Sequence, residues 1–135
     1  MKTTWVELCV SNLDASIAWF AEVLDFLVVE RDEDYADLRR GTTSIQIATD
    51  TSSYWRGERP RMPEAGQRGS GVEIVLLVDR IEEIYARART AGAKIERPLE
   101  TWPWRMKQFW VRHPHGYLLR PAERLASISP AEAAP

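Results

Sequence analysis

At 135 residues, with 44% hydrophobic and 28% charged side chains, the chain suits one ordinary globular domain rather than a disordered segment. The 18 basic and 20 acidic side chains leave a formal net charge of −2, and no stripe of Lys and Arg with interleaved aromatics marks a nucleic-acid surface. No apolar run approaches the roughly 20 residues that cross a bilayer, no signal-peptide core opens the chain, and one cysteine excludes a disulfide framework or a cysteine-cluster zinc site. A cytoplasmic protein without membrane or nucleic-acid partners is expected.

Trp5–Val10 alternates, with Val6, Leu8 and Val10 on one side and Trp5, Glu7 and Cys9 on the other, so it reads as a strand. Ser11 and Asn12 form a turn, and Asn12 or Asp14 caps a helix whose buried face is expected at Ile17, Phe20, Ala21 and Leu24. Strands follow over Phe26–Arg31, Tyr35–Arg40 and Ser44–Ala48. Residues 50–70 are rich in Ser, Gly, Pro and Arg and carry no period, so they read as a long connecting loop. Within it, Tyr54-Trp55 is either a flap over a pocket mouth or a plain anchoring contact.

The second half opens with a strand over Val72–Val78. A helix over Ile81–Ala91 turns Ile81, Ile84, Tyr85 and Ala88 inward and stops at Gly92. Lys94–Arg97 is a short strand, 98–105 a loop, Lys107–Arg112 a strand, His113–Gly116 a tight turn, and Tyr117–Pro121 the last strand. The polar stretch 126–135 reads as a frayed tail.

The order β-α-β-β-β therefore occurs twice. At an offset of 68, Val10 meets Val78, Leu13 meets Ile81, and Asp14 meets Glu82. The expected architecture is α+β: one domain over 1–125, built of two modules at about 3–49 and 71–123, whose curved mixed sheets enclose a ligand cavity. Strand parity places Trp5, Glu7 and Cys9, then Glu73, Val75 and Leu77, then Gln108, Trp110 and Arg112, then Leu118 and Arg120 on the concave faces. There are six tryptophans, and Trp102, Trp104 and Trp110 fall close together. Tryptophan fills cores, but it also offers a flat surface and one donor to a planar ligand. Trp19, on the first helix, suits either a core or an interface.

The repeat, together with Pro103-Trp104, Phe109, Val111, Arg112, Pro114, Gly116 and Leu119 in the second half and Val10, Ser11, Asn12, Leu13, Ala15 and Ser16 in the first, resembles the glyoxalase, bleomycin-resistance and dioxygenase (vicinal oxygen chelate) superfamily. The resemblance spans about residues 3–123. It departs from the family pattern where Arg105 replaces a glycine, His113 an aspartate and Tyr117 an asparagine.

The resemblance implies four pocket positions, which metal-dependent members fill with His, Glu or Gln. They fall here on Trp5, Gln46, Glu73 and Arg120. An indole nitrogen is only a donor and a guanidinium is always cationic, so neither ligates a metal ion. His113 and His115 read as turn residues, Cys9 as a small buried hydrophobe, and no phosphate loop or dinucleotide fingerprint is present.

The expected function is therefore non-catalytic: sequestration of a planar aromatic small molecule, in the manner of antibiotic-binding resistance proteins, with no metal or cofactor. The expected ligand contacts are Trp5, Glu7, Gln46, Trp55, Glu73, Trp102, Trp104, Trp110 and Arg120. The resemblance also implies a homodimer, with the first strand and Trp19 as interface candidates. The alternative is an enzyme on the same fold, either metal-dependent or metal-free with Glu7 or Glu73 as general base.

Overall fold

The computed structural model describes residues 4–55, 62–64 and 66–126; the expected tail from 127 onward and the loop residues 56–61 and 65 lie outside the described residues. The chain divides into two compact units, Met1–Ala65 and Gly66–Pro135. Among the described residues each holds one α-helix and one four-stranded mixed sheet, the α+β module expected from the repeat.

In the first unit the elements are β1 (Val6–Val10), α1 (Leu13–Leu24), β2 (Leu27–Arg31), β3 (Tyr35–Arg40) and β4 (Thr43–Thr49), with sheet order β1-β4-β3-β2. Alternation in β1 and β4 sends Leu8, Val10, Ile45 and Ile47 into the core, together with Phe20 and Leu24 of α1. Phe20 packs edge-on against both Trp19 and Phe26, at centroid distances of 5.0 and 5.5 Å.

Asn12 is the cap of α1, its side chain accepting from the Ala15 N–H at 3.0 Å. The buried stripe of the helix differs from expectation. Leu13, Ser16, Phe20, Val23 and Leu24 are buried, whereas Ile17 and Ala21 are only half-buried. At 100° per residue the two stripes share Phe20 and Leu24 and differ by a small rotation, which the buried Leu13 and Val23 decide. Asp14, on the solvent side, pairs with Arg31 of β2 at 2.9 Å.

The second unit repeats the plan with β5 (Glu73–Leu77), α2 (Ile81–Thr90), β6 (Lys94–Trp102), β7 (Met106–Arg112) and β8 (Leu118–Arg124), in sheet order β5-β8-β7-β6. Even the register repeats. Glu7 stands beside Gln46 across the parallel β1–β4 pair, and Val75 beside Arg120 across the parallel β5–β8 pair. Ile81, Ile84 and Ala88 of α2 are buried, as are Phe109, Val111 and Leu119 of the sheet, and Tyr85 meets Phe109 at 5.0 Å. Arg80, at the N-cap of α2, is left-handed (φ 55°) and supplies no side-chain cap. Glu123 of β8 does so instead, accepting from the Ile81 N–H at 2.9 Å.

The expected loop over 98–105 is corrected: β6 continues through Trp102, so only Pro103–Arg105 turn. Pro98 signalled a break, but β6 is an edge strand with register shifts between Ile95 and Glu100. An edge or bulged residue has no ladder partner for its N–H to lose, so proline is tolerated there. Arg105 closes the turn in the left-handed region at φ 63°.

Candidate functional site

In the second unit the face of the sheet opposite α2 carries an aromatic and polar cluster. The β5–β8–β7–β6 registers place Glu73, Arg120, Gln108, Trp110 and Trp102 on this face, and the turn after β6 adds Trp104. Trp102 and Trp104 stack with centroids 4.8 Å apart and planes 17° from parallel. Trp110 stands edge-on to Trp102 at 5.6 Å. Such pairs contribute about 0.5–1.5 kcal/mol each beyond their area burial.

Polar side chains tie these rings together. Arg120 Nε lies 2.7 Å from Glu73 Oε1, and its Nη1 donates to Gln108 Oε1 at 3.0 Å. The Trp110 indole N–H donates to Glu73 Oε1 at 2.6 Å, and that of Trp104 donates to Gln108 Oε1 at 3.0 Å. The Arg120 guanidinium also sits 5.6 Å from the Trp110 ring centre, and that of Arg97 lies 4.9 Å from the Trp102 ring centre. Around the rim, Arg97 pairs with Glu100 at 3.3 Å. Arg112 pairs with Glu96 at 3.0 Å and, aided by Lys94, holds the Glu96 carboxyl below its ordinary range.

Gln108 is the residue that sequence reasoning passed over as a site member. It is 0% exposed, and its amide nitrogen has no hydrogen-bond partner among the described residues. Its signal was a polar side chain in strict alternation between Met106 and Trp110, on the face that carries the tryptophans. Strand parity had placed it there.

The first unit holds the other expected contacts. Trp5 is the residue before β1 and is 55% exposed. Glu7 is exposed on β1 and Gln46 half-buried on β4, side by side in register. Trp55 ends a short 3-10 turn, Ser53–Trp55, and is partly buried. That turn is anchored by Asp34, which accepts from the Ser53 N–H at 3.2 Å. The open face of this sheet also carries Tyr35 and a buried Asp37, which accepts from Arg39 at 2.9 Å and Ser44 at 2.9 Å. Burial, then the charges of Asp37, Glu30 and Glu7, raises the Tyr35 hydroxyl above its ordinary value.

His113 and His115 occupy the turn before β8. His113 is 1% exposed and accepts from the His115 N–H at 3.0 Å, while burial, then His115, pushes its imidazole down to about 3. It is a neutral structural group at physiological pH.

The profile of the Glyoxalase/Bleomycin resistance protein/Dioxygenase superfamily matches residues 2–120. This chain belongs to that superfamily. Among solved structures, TioX from Micromonospora sp. ML1 superposes with a TM-score of 0.76 at 23% identity, over 93% of this chain and 100% of its own. A glyoxalase/bleomycin resistance protein/dioxygenase from Nocardioides gives 0.73 at 19% identity, over 96% and 87%. The bleomycin resistance determinant encoded on the transposon Tn5 gives 0.69 at 19% identity, over 92% and 98%. At these identities the likeness is one of fold. No curated protein sequence matches the chain significantly.

Metal-dependent members of the superfamily need four donors, two from each module. The residues present here do not fit such an ion. Trp5 and Arg120 bring only N–H donors, and the Glu73 carboxylate is already engaged by a guanidinium and an indole. Among the described residues, no group of three or more His, Cys, Asp or Glu side chains is placed to hold a metal ion. Nor is any helix among them long and apolar enough to cross a membrane.

Proposed function

We propose that this protein binds a planar aromatic small molecule of the antibiotic class and sequesters it without altering it. The carrying observation is the cluster in the second unit: the indoles of Trp104 and Trp110, each within 5.6 Å of that of Trp102, laced to Glu73, Gln108 and Arg120. Flat apolar surface with a few fixed polar groups is what holds and orients a ring system. Superfamily membership and the likeness in fold to a bleomycin resistance determinant support the reading. Trp5, Glu7, Gln46 and Trp55 are proposed ligand contacts of the first unit. Arg120, Glu73, Trp102, Trp104 and Trp110 are those of the second.

Glu73 is poorly suited to act as a general base, because its Oε1 is held by Arg120 and Trp110. We further propose a cytoplasmic homodimer, for which the exposed Trp5, Val6, Leu27 and Val29 supply apolar surface. The test is a titration of tryptophan fluorescence with a panel of polycyclic and glycopeptide antibiotics, followed by mass spectrometry of the recovered ligand. Saturable quenching with unchanged ligand mass is expected. Absence of quenching across the panel refutes binding, and a changed mass refutes sequestration.

A further inference from the structure

We infer that Gln108 reads a carbonyl oxygen, and that the ligand of the second unit is an uncharged planar aromatic bearing that oxygen. The inference rests on the aromatic-binding reading above and sharpens it to a ligand class.

The orientation of the Gln108 amide is fixed by its neighbours. Arg120 Nη1 and Trp104 Nε1 are both obligate donors, and both point at the same atom, at 3.0 Å each. Turning the amide over would set three donors against one another, so the atom they meet is Oε1 and the NH2 group faces away from them. Among the described residues that NH2 is buried without a partner, although a buried donor left unmade costs more than most single contacts return. The Trp102 indole N–H, in the same cluster, is a second buried donor without a partner. Two unmet donors among stacked rings describe a place for a hydrogen-bond acceptor.

Charge decides which acceptor. The guanidinium that touches Gln108 is already paired, Arg120 with Glu73, and on the neighbouring strands Arg97 pairs with Glu100 and Arg112 and Lys94 with Glu96. A carboxylate or sulfonate reaching the amide meets a guanidinium whose charge Glu73 already answers, whereas a neutral carbonyl accepts from an amide N–H with little loss. Trp104 stands on the oxygen side of the Gln108 amide. This ring is 49% exposed and carried on the turn between β6 and β7, and it is bonded to Gln108 through a single hydrogen bond.

The test compares 9-fluorenone with fluorene, which share one tricyclic skeleton and differ by carbonyl against methylene, and adds 9-fluorenecarboxylate as the charged analogue. Binding is read by equilibrium dialysis and tryptophan quenching. Wild-type protein is expected to prefer fluorenone over fluorene by roughly tenfold, the size of one satisfied buried hydrogen bond. It is also expected to bind the carboxylate more weakly than fluorenone.

Gln108→Glu keeps an oxygen for Arg120 and Trp104 while removing the donor, and should bring the fluorenone-to-fluorene ratio to about one. Gln108→Met is a second variant with the same expected ratio, and near-ultraviolet dichroism checks its fold. Equal affinity for fluorenone and fluorene in the wild type overturns the inference and leaves the aromatic reading standing. A tenfold preference that survives in both variants overturns the role of Gln108, and tighter binding of the carboxylate overturns the uncharged class. Failure of all three probes to bind overturns the inference and the aromatic reading together.

Discussion

Replacing Arg120 by Met removes the hub of the second-unit cluster while keeping most of the volume of its stem. The side chain is 19% exposed and makes three interactions. Its bond to Gln108 Oε1 is charge-assisted, worth about 1.5–3 kcal/mol. Its pairing with Glu73, a side chain one-third open to solvent, contributes at most about 1 kcal/mol after screening. Its approach to Trp110 at 5.6 Å adds about 0.5 kcal/mol. Desolvation of the guanidinium opposes all three, so the expected net loss for Arg120→Met is about 2 kcal/mol. For a chain of this size that lowers the Tm by roughly 8 °C.

Glu73→Gln keeps an acceptor for the Trp110 indole and removes only the charge, so alone it should cost about 1 kcal/mol. The decisive quantity is the coupling in the Glu73→Gln, Arg120→Met double-mutant cycle. It should be near 1 kcal/mol from urea midpoints followed by tryptophan fluorescence. A coupling below about 0.3 kcal/mol, with Arg120→Met costing less than about 0.5 kcal/mol, would refute the picture of a charge-tied cluster.

Acid should weaken the fold through His113. Its folded-state value of about 3 lies below the ordinary 6.5, so unfolded chains take up a proton that folded chains refuse. The contribution is whole above pH 6.5 and falls by about 1.4 kcal/mol per unit toward pH 3. That amounts to about 2 kcal/mol at pH 5, and the urea midpoints of His113→Asn should lose this slope. Gly116→Ala places a Cβ 2.7 Å from Gly66 O and 2.8 Å from Arg68 O at a φ of +105°, so a loss of about 3 kcal/mol is expected. Gly41→Ala, at φ +59° with nothing within 4 Å, should cost only about 1 kcal/mol; equal thermal shifts in the two would refute the steric account. Glu123→Ala uncaps α2 and should cost about 1 kcal/mol by chemical denaturation, with helix fraying visible in amide exchange at Ile81.

Alternation and helical spacing made both modules legible, because buried Leu8, Val10, Ile45 and Ile47 in one sheet and Phe109, Val111 and Leu119 in the other obey period two. The same parity set Glu73, Trp110 and Arg120 on one face, and their side chains do meet. Where expectation failed, a local signal was outweighed by its surroundings. Pro98 reads as a break, yet at a bulged edge strand its missing N–H has no ladder bond to lose. Glu123 gives no sequence sign of capping a helix 42 residues earlier, since only the β8 register brings it to Ile81. Gln108 looked like an ordinary strand residue because its significance lies in what surrounds it: two donors that converge on its oxygen.

The cluster also bears on how a site can be stable before anything enters it. Gln108 Oε1 accepts from Arg120 and Trp104, and Glu73 accepts from Trp110 and pairs with Arg120, all within a single unit, so their geometry exists without a ligand. A preformed face loses little ordering entropy when a ring docks on it. Among the described residues the Gln108 amide nitrogen, the Trp102 indole N–H and Arg120 Nε lie buried without a hydrogen bond, and the amide forfeits on the order of 1–3 kcal/mol by doing so. An acceptor that reaches Nε2 recovers that loss in the bound state alone. Fluorenone should accordingly raise the Tm of the wild-type protein more than fluorene does at equal concentration, and Gln108→Glu should erase the difference.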